Sequence, residues 1–165
     1  MMRRSALAFA LLALSGCGLR PLYEGGSGSA VAMTLGSVSV APISGQSGWL
    51  MRNKLIERLG AGGGTAAYRL DVTLDDNLTS FGVRGNQAAT QERRTLRARY
   101  QLVDLRNGTV VLDSSAGSDA GIDIVSSEYA TVAAEQTALE NLTDIVADQI
   151  VARLALFASR TAPAK

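Results

Sequence analysis

Arg93, Arg97 and Arg99 are the residues whose type and spacing point most directly to chemistry. A guanidinium is planar, always charged and presents paired N–H donors, so a row of them suits bidentate contact with phosphate oxygens. On a strand, Arg97 and Arg99 stand about 6.8 Å apart along the chain. A lipid headgroup would supply such phosphates; the alternative reading is a solvated sheet face, or charge placed to discourage edge pairing. The other reactive group is the single thiol, Cys17. The chain has no histidine, so the usual general base at neutral pH and the commonest metal ligand are both missing. Asp75-Asp76 and the scattered carboxylates are accounted for by strand alternation and turns. No Gly-x-Ser-x-Gly elbow occurs. Gly60, Gly62, Gly63 and Gly64 follow a helical stretch, whereas a phosphate-cradling loop lies between a strand and the start of a helix. The residues therefore predict a protein that is not an enzyme and needs neither cofactor nor metal.

The arginine row exists only if residues around it form a strand with one apolar face. Leu96, Ala98, Tyr100 and Leu102 alternate with polar residues, which places Arg93, Arg97 and Arg99 on the opposite face and Arg94 on the other parity, at the expected strand entrance. Tyr68, Leu70, Val72 and Leu74 alternate in the same way and predict a half-buried antiparallel strand. The stretch from Asn77 to Thr90 has two glycines and no period, so it reads as a long loop. Asn107-Gly108 signals a hairpin. A three-residue turn, Arg106 to Gly108 with Gly108 left-handed, pairs Leu102 with Leu112, Tyr100 with Ser114 and Ala98 with Ala116, and so keeps the apolar set on one face. The returning strand is expected over Val110–Ala116, resuming past Gly117 and Gly121 toward Ile122.

Earlier in the chain, Val38 and Val40 before Ala41-Pro42 predict a strand over Met33–Ala41. Ser47 is the expected cap of a helix with Met51, Leu55 and Leu59 at four-residue spacing, Trp49 and Ile56 widening the stripe and Gly60 ending it. From Ser127 to Ser159, Val132, Leu139, Leu142, Val146, Ile150, Leu154 and Phe157 mark one helical face with no glycine or proline. Such a helix reaches roughly 50 Å, so it must bend or project at one end. The expected class is α+β: two layers, with two helices packed on one face of a four-stranded, mostly antiparallel sheet, in the order β-α-β-β-β-α.

Cys17 closes the sequence Leu14-Ser15-Gly16-Cys17, behind Arg3-Arg4 and the apolar run Ala6–Leu14. This start resembles a bacterial lipoprotein signal with its lipobox, which implies cleavage before Cys17 and acyl chains on that residue. The apolar run is far shorter than the roughly 18 to 20 residues that span a bilayer as a helix, so it targets the chain and does not anchor it. The expected organisation is a signal peptide at 1–16, an acylated tether at 17–30, one domain at 31–160 and a disordered tail at 161–165. Gly25–Ser29 has the composition of a flexible linker. With 16 basic and 15 acidic side chains, and Arg3 and Arg4 lost on cleavage, the mature chain is close to neutral and offers no electrostatic reason to bind nucleic acid. Hydrophobic residues at 47% against charged ones at 19% favour a globular body over a disordered stalk.

Four short motifs carry a resemblance to one family: Cys17-Gly18-Leu19-Arg20-Pro21-Leu22-Tyr23 at the acylation site, Leu50-Met51-Arg52-Asn53-Lys54-Leu55, Leu96-Arg97-Ala98-Arg99-Tyr100-Gln101-Leu102, and Ser127-Glu128-Tyr129-Ala130. In these the chain resembles the lipopolysaccharide-assembly lipoproteins of the LptE family, especially the alphaproteobacterial ones. The resemblance implies an outer-membrane lipoprotein, anchored at the periplasmic face through Cys17. It implies that the chain plugs and assists the LptD barrel and helps deliver lipopolysaccharide to the outer leaflet. Gly18, standing where inner-membrane lipoproteins commonly carry aspartate, agrees with export. Under this reading the arginine row contacts lipid phosphates or acidic groups of the barrel wall. An accessory lipoprotein of an envelope lipid transporter of the ABC class is the alternative.

Overall fold

The computed structural model describes residues 30–60, 65–83 and 89–161. Expectations for the signal peptide, Cys17, the linker and the residues after 161 lie outside these. The elements are α1 (Ala30–Gly36), β1 (Val38–Val40), α2 (Gly45–Leu59), β2 (Tyr68–Val83), β3 (Ala89–Asp104), β4 (Thr109–Asp123) and α3 (Glu128–Thr161). The strands lie in the order β1-β2-β3-β4; β1 runs parallel to β2, and the other neighbours are antiparallel. The parallel pair needs a crossover, and α2 supplies it. The class is the expected α+β sheet with helices on one side. Leu70, Leu96, Ala98, Tyr100 and Leu102 meet Met51 and Leu55 of α2 and Leu142, Val146, Ile150 and Leu154 of α3 in one buried cluster.

Several local expectations are corrected. The strand predicted over Met33–Ala41 shrinks to Val38–Val40, because the residues before it form α1. That short helix buries Leu35, packs against α3, and ends where Ser37 N donates to the carbonyls of Met33 and Thr34. An apolar alternation of only two valines was too short to extend the strand across it. The loop expected from Asn77 to Thr90 is mostly strand: β2 and β3 pair in unbroken register from Tyr68↔Asp104 to Phe81↔Gln91. There the period is hidden because both faces carry polar residues that bond across the ladder, as Ser80 Oγ does to Glu92 Oε1 at 2.9 Å. In α2 the N-cap position falls to Ser44 in place of Ser47, without a capping bond from its side chain, and Trp49 is 64% exposed, outside the buried stripe of Met51, Leu55 and Leu59. Gly60 ends the helix as expected, left-handed at φ 64° with its N–H bonded back to Glu57 and Ile56.

The β3–β4 pairing is the expected one, with Leu102↔Leu112, Tyr100↔Ser114 and Ala98↔Ala116. The turn differs in length: Asp104 pairs with Thr109, so Leu105–Gly108 form a four-residue connection, and the bulge falls at Val111, between Leu102 and Val103 on the partner strand. Asp104 holds the turn by accepting from Arg106 N at 2.9 Å, and Asn107 Oδ1 accepts from Thr109 N and Oγ1. Gly108 is left-handed, at φ 71°. β4 then runs without interruption through Gly117 and Gly121.

α3 is one helix of 34 residues. Its buried stripe starts at Ala138 and runs to Ala158, while Tyr129 and Val132 in its first turns are exposed. The N-terminal end projects past the core, the second of the two solutions its length allowed. At the other end Phe157 meets Tyr68 edge-on at 6.1 Å. Lys54 and Arg58 of α2 bridge to Asp144 at 2.8 Å each, and Arg58 also reaches Asp148, which ties the two helices along their exposed seam.

Candidate functional site

β3 sits in the middle of the sheet, so the burial of Leu96, Ala98, Tyr100 and Leu102 against the helices turns its odd-numbered side chains to the open face. Arg93, Arg97 and Arg99 all lie there, and the ladder gives each a different neighbourhood. Arg99 is committed: its guanidinium donates to both oxygens of Asp113 at 3.3 and 3.0 Å, and Gln101 adds a bond of 2.8 Å to the same carboxylate. The Arg99 bonds, followed by that of Gln101, hold the Asp113 carboxyl below its usual range. Arg93 lies over the ring of Phe81 at 5.6 Å and stands 3.9 Å from Asp119, a loose ion pair.

Arg97 has no ion-pair partner among the described residues. It is flanked across the ladder by Asp75 and Gly117, and Asp75 Oδ1 accepts from Asn77. Gly117 is itself held from the helix layer: its N–H donates to Gln149 Oε1 at 3.1 Å, and Gln149 Nε2 donates to its carbonyl at 3.5 Å. Arg97, Arg99, Thr73, Asp75, Ser115 and Gln149 line a shallow depression of about 540 Å³. It brings together the uncommitted Arg97 guanidinium and hydroxyl and amide donors, which suit an anion, with one carboxylate, Asp75, opposite Arg97.

Arg94, on the other parity, faces the helix layer well inside β3, not at its entrance. It forks onto Asp76 at 2.9 and 2.8 Å and donates to the Glu135 carbonyl at 3.1 Å, clamping β2 and β3 to the projecting part of α3. Beside it, Glu92 Oε2 is buried without a hydrogen-bond partner. Partial burial, and next the charge of Glu92, push the Glu135 carboxyl above its usual range. A protonated Glu135 would supply the donor that the Glu92 oxygen lacks.

Asp76 is thus a structural partner, and the described residues contain no cluster of side chains able to hold a metal ion. Among the described helices none is long and apolar enough to cross a membrane. Sequence reasoning found the arginines and their common face, but missed Gly117 and Gln149. The signal for Gly117 was present, since glycine inside a strand often marks a close approach; Gln149 carried none.

Fold and face together define a two-layer α+β protein that offers a charged open sheet face. A family model described as lipopolysaccharide-assembly, LptE, matches residues 35–154. The chain belongs to the LptE family. Among solved structures it is similar to a Caulobacter crescentus protein assigned to the lipoproteins, at 28% identity over 82% of this chain and 100% of that one, with a TM-score of 0.67. The fold is shared with rare lipoprotein B of Shewanella oneidensis (10% identity, 74% and 96% of the two chains, TM-score 0.58) and a minor lipoprotein of Acinetobacter baumannii (14%, 78% and 95%, TM-score 0.55). No curated protein sequence matches significantly.

Proposed function

We propose that this chain is a lipid-anchored, non-catalytic component of lipopolysaccharide assembly. Acyl chains on Cys17 hold it at the periplasmic face of the outer membrane. There it plugs the LptD barrel, assists its folding and helps pass lipopolysaccharide to the outer leaflet. The observation that carries this reading is the family match over residues 35–154, which spans every described strand and most of α3. The polar open face supports it, since a plug must meet the polar interior of a barrel. Arg97 supports a lipid contact, because its guanidinium is free to meet a phosphate, whereas Arg99 would first have to leave Asp113. Anchoring suits more than one acyl chain, since a single chain binds a membrane only marginally and each buried methylene adds about 0.8 kcal/mol.

The test is affinity purification of the native, acylated protein from solubilised envelopes, with identification of its most abundant partner. Recovery of the LptD barrel is the expected result. Recovery of an inner-membrane transporter without a barrel protein would reject the plug in favour of the transporter accessory.

A further inference from the structure

The sheet has two outer edges, and they are treated differently. On β4, the bulge at Val111 interrupts the ladder, and the Gln149 amide occupies the outward N–H and C=O of Gly117. Both are recognised devices for keeping a strand edge from pairing with another chain. On the other side β1 covers only Tyr68–Leu70 of β2, and its last contact is Ala41 N donating to the Leu70 carbonyl at 3.0 Å.

In an antiparallel ladder the residues alternate between bonding inward and outward. Since Leu70 bonds outward, Val72, Leu74, Asp76, Leu78 and Ser80 also point their N–H and C=O groups away from β3. Among the described residues none of these groups has a backbone partner. The edge is straight in register, without the bulge that breaks β4, and has neither proline nor lysine between Tyr68 and Val83. A row of this kind is chemically specific: only another extended backbone satisfies alternate donors and acceptors at this spacing.

We propose that the outer edge of β2, from Val72 to Ser80, receives an extended segment of a partner protein as a fifth strand. The side chains define that segment. The helix-side positions Leu74 and Leu78 call for apolar residues; Leu78 is 43% exposed at a position where an added strand would cover it. Within Val72–Ser80 the open-face carboxylate is Asp75, which accepts from Asn77 and stands opposite Arg97, while Asp71 just before the segment is already held by Arg69; Asp75 therefore calls for one lysine or arginine among the residues that alternate with the apolar ones. A second copy paired symmetrically about Asp76 would bring the Asp75-Asp76 carboxylates of both chains together, and that repulsion argues against it.

The experiment uses the full acylated chain in detergent, with alternating Lys-Val and Glu-Val octapeptides as probes, and follows amide hydrogen exchange residue by residue. The Lys-Val peptide is expected to slow exchange about tenfold at Val72, Leu74, Asp76, Leu78 and Ser80 and to leave β4 unchanged. Leu78→Pro removes one outward N–H while sparing the β2–β3 ladder, a position where proline is tolerated, and should abolish that protection. If that variant fails to fold, Leu78→Lys serves instead, since it sets like charge against the peptide at an exposed position. Equal protection by both peptides, protection surviving in the folded Leu78 variant, or no protection at all would overturn the proposal. So would protection that grows with protein concentration alone, which would assign the edge to a second copy.

Discussion

Gly117 on β4 stands opposite Arg97 on β3, and the arginine side chain occupies the space that any larger residue would need: a Cβ at 117 would clash with Cδ of Arg97 and come within 2.7 Å of its Nη1. The absent side chain is what lets the Arg97 guanidinium, uncommitted unlike those of Arg93 and Arg99, lie across the sheet toward the β4 edge. That edge is held in turn by Gln149 of α3, so a helix on one face of the sheet helps place a cation on the other.

Gly117→Ala should therefore act on Arg97 more than on folding. The new methyl displaces the arginine and also crowds the Leu96 carbonyl at 3.0 Å, which offsets the backbone entropy that alanine recovers, so a loss of about 1 kcal/mol is expected. Binding of lipopolysaccharide should fall to the level of Arg97→Ala. Parent-like binding in a crystal-verified Gly117→Ala protein would remove Arg97 from the contact.

Reversing charge at both Arg97 and Arg99 to glutamate should weaken lipopolysaccharide binding by about tenfold or more, since two guanidinium donors become repulsive. Thermal unfolding should move little, because exposed ion pairs such as Arg99–Asp113 contribute about 0 to 1 kcal/mol. Unchanged binding, measured on vesicles or purified lipid, would return the row to a solvated sheet face.

Arg94→Ala should have the opposite signature. It strands Asp76, whose side chain is 19% exposed, without its forked partner and frees the Glu135 carbonyl. A loss of about 2–4 kcal/mol in urea unfolding is expected, near the cost of breaking a buried pair. Amide exchange over the first turns of α3 should accelerate.

The pH response should have two regions of opposite sign. Bonds from Lys54 and then Arg58 hold the Asp144 carboxyl below its usual range, so its stabilising effect is present above the unfolded-state pKa and lost as pH falls through the folded one. Glu135 is raised, so its effect is full below the unfolded-state pKa and lost as pH rises through the folded value. Asp144→Asn should flatten the acid limb. Glu135→Gln should flatten the decline above the ordinary glutamate range and raise stability at neutral pH by less than about 1 kcal/mol. Urea midpoints measured across pH for the three proteins separate these effects.

Cys17→Ser should leave the chain soluble or unprocessed, because the thiol is the only site for the expected acyl chains. Fractionation of expressing cells, with mass measurement of the N-terminal peptide, checks it. A processed serine variant that remains wholly in the outer membrane would show that attachment does not depend on Cys17.

Much of the fold was legible wherever burial imposed a period. The pairings Leu102↔Leu112 and Ala98↔Ala116 followed from keeping apolar residues on one face, and Gly60 marked the end of α2 because a left-handed cap favours glycine. Legibility failed where burial did not decide. The paired strands past Asn77 carry polar residues on both faces, so no apolar rhythm distinguishes them from a loop. α1 is too short for its helical period to outweigh two adjacent valines.

The sequence by itself determined which faces exist: one side of β3 for the core, the other for Arg93, Arg97 and Arg99, and a lone thiol behind a short apolar run. Only the tertiary structure decided which arginine is free. Alternation is a local property that any strand reveals, whereas ion pairing depends on which residue of a neighbouring strand arrives opposite. Register brought Asp113 within reach of Arg99 and set Gly117 beside Arg97, and the same three-dimensional arrangement closed one sheet edge with Gln149 while leaving the edge of β2 unpaired among the described residues.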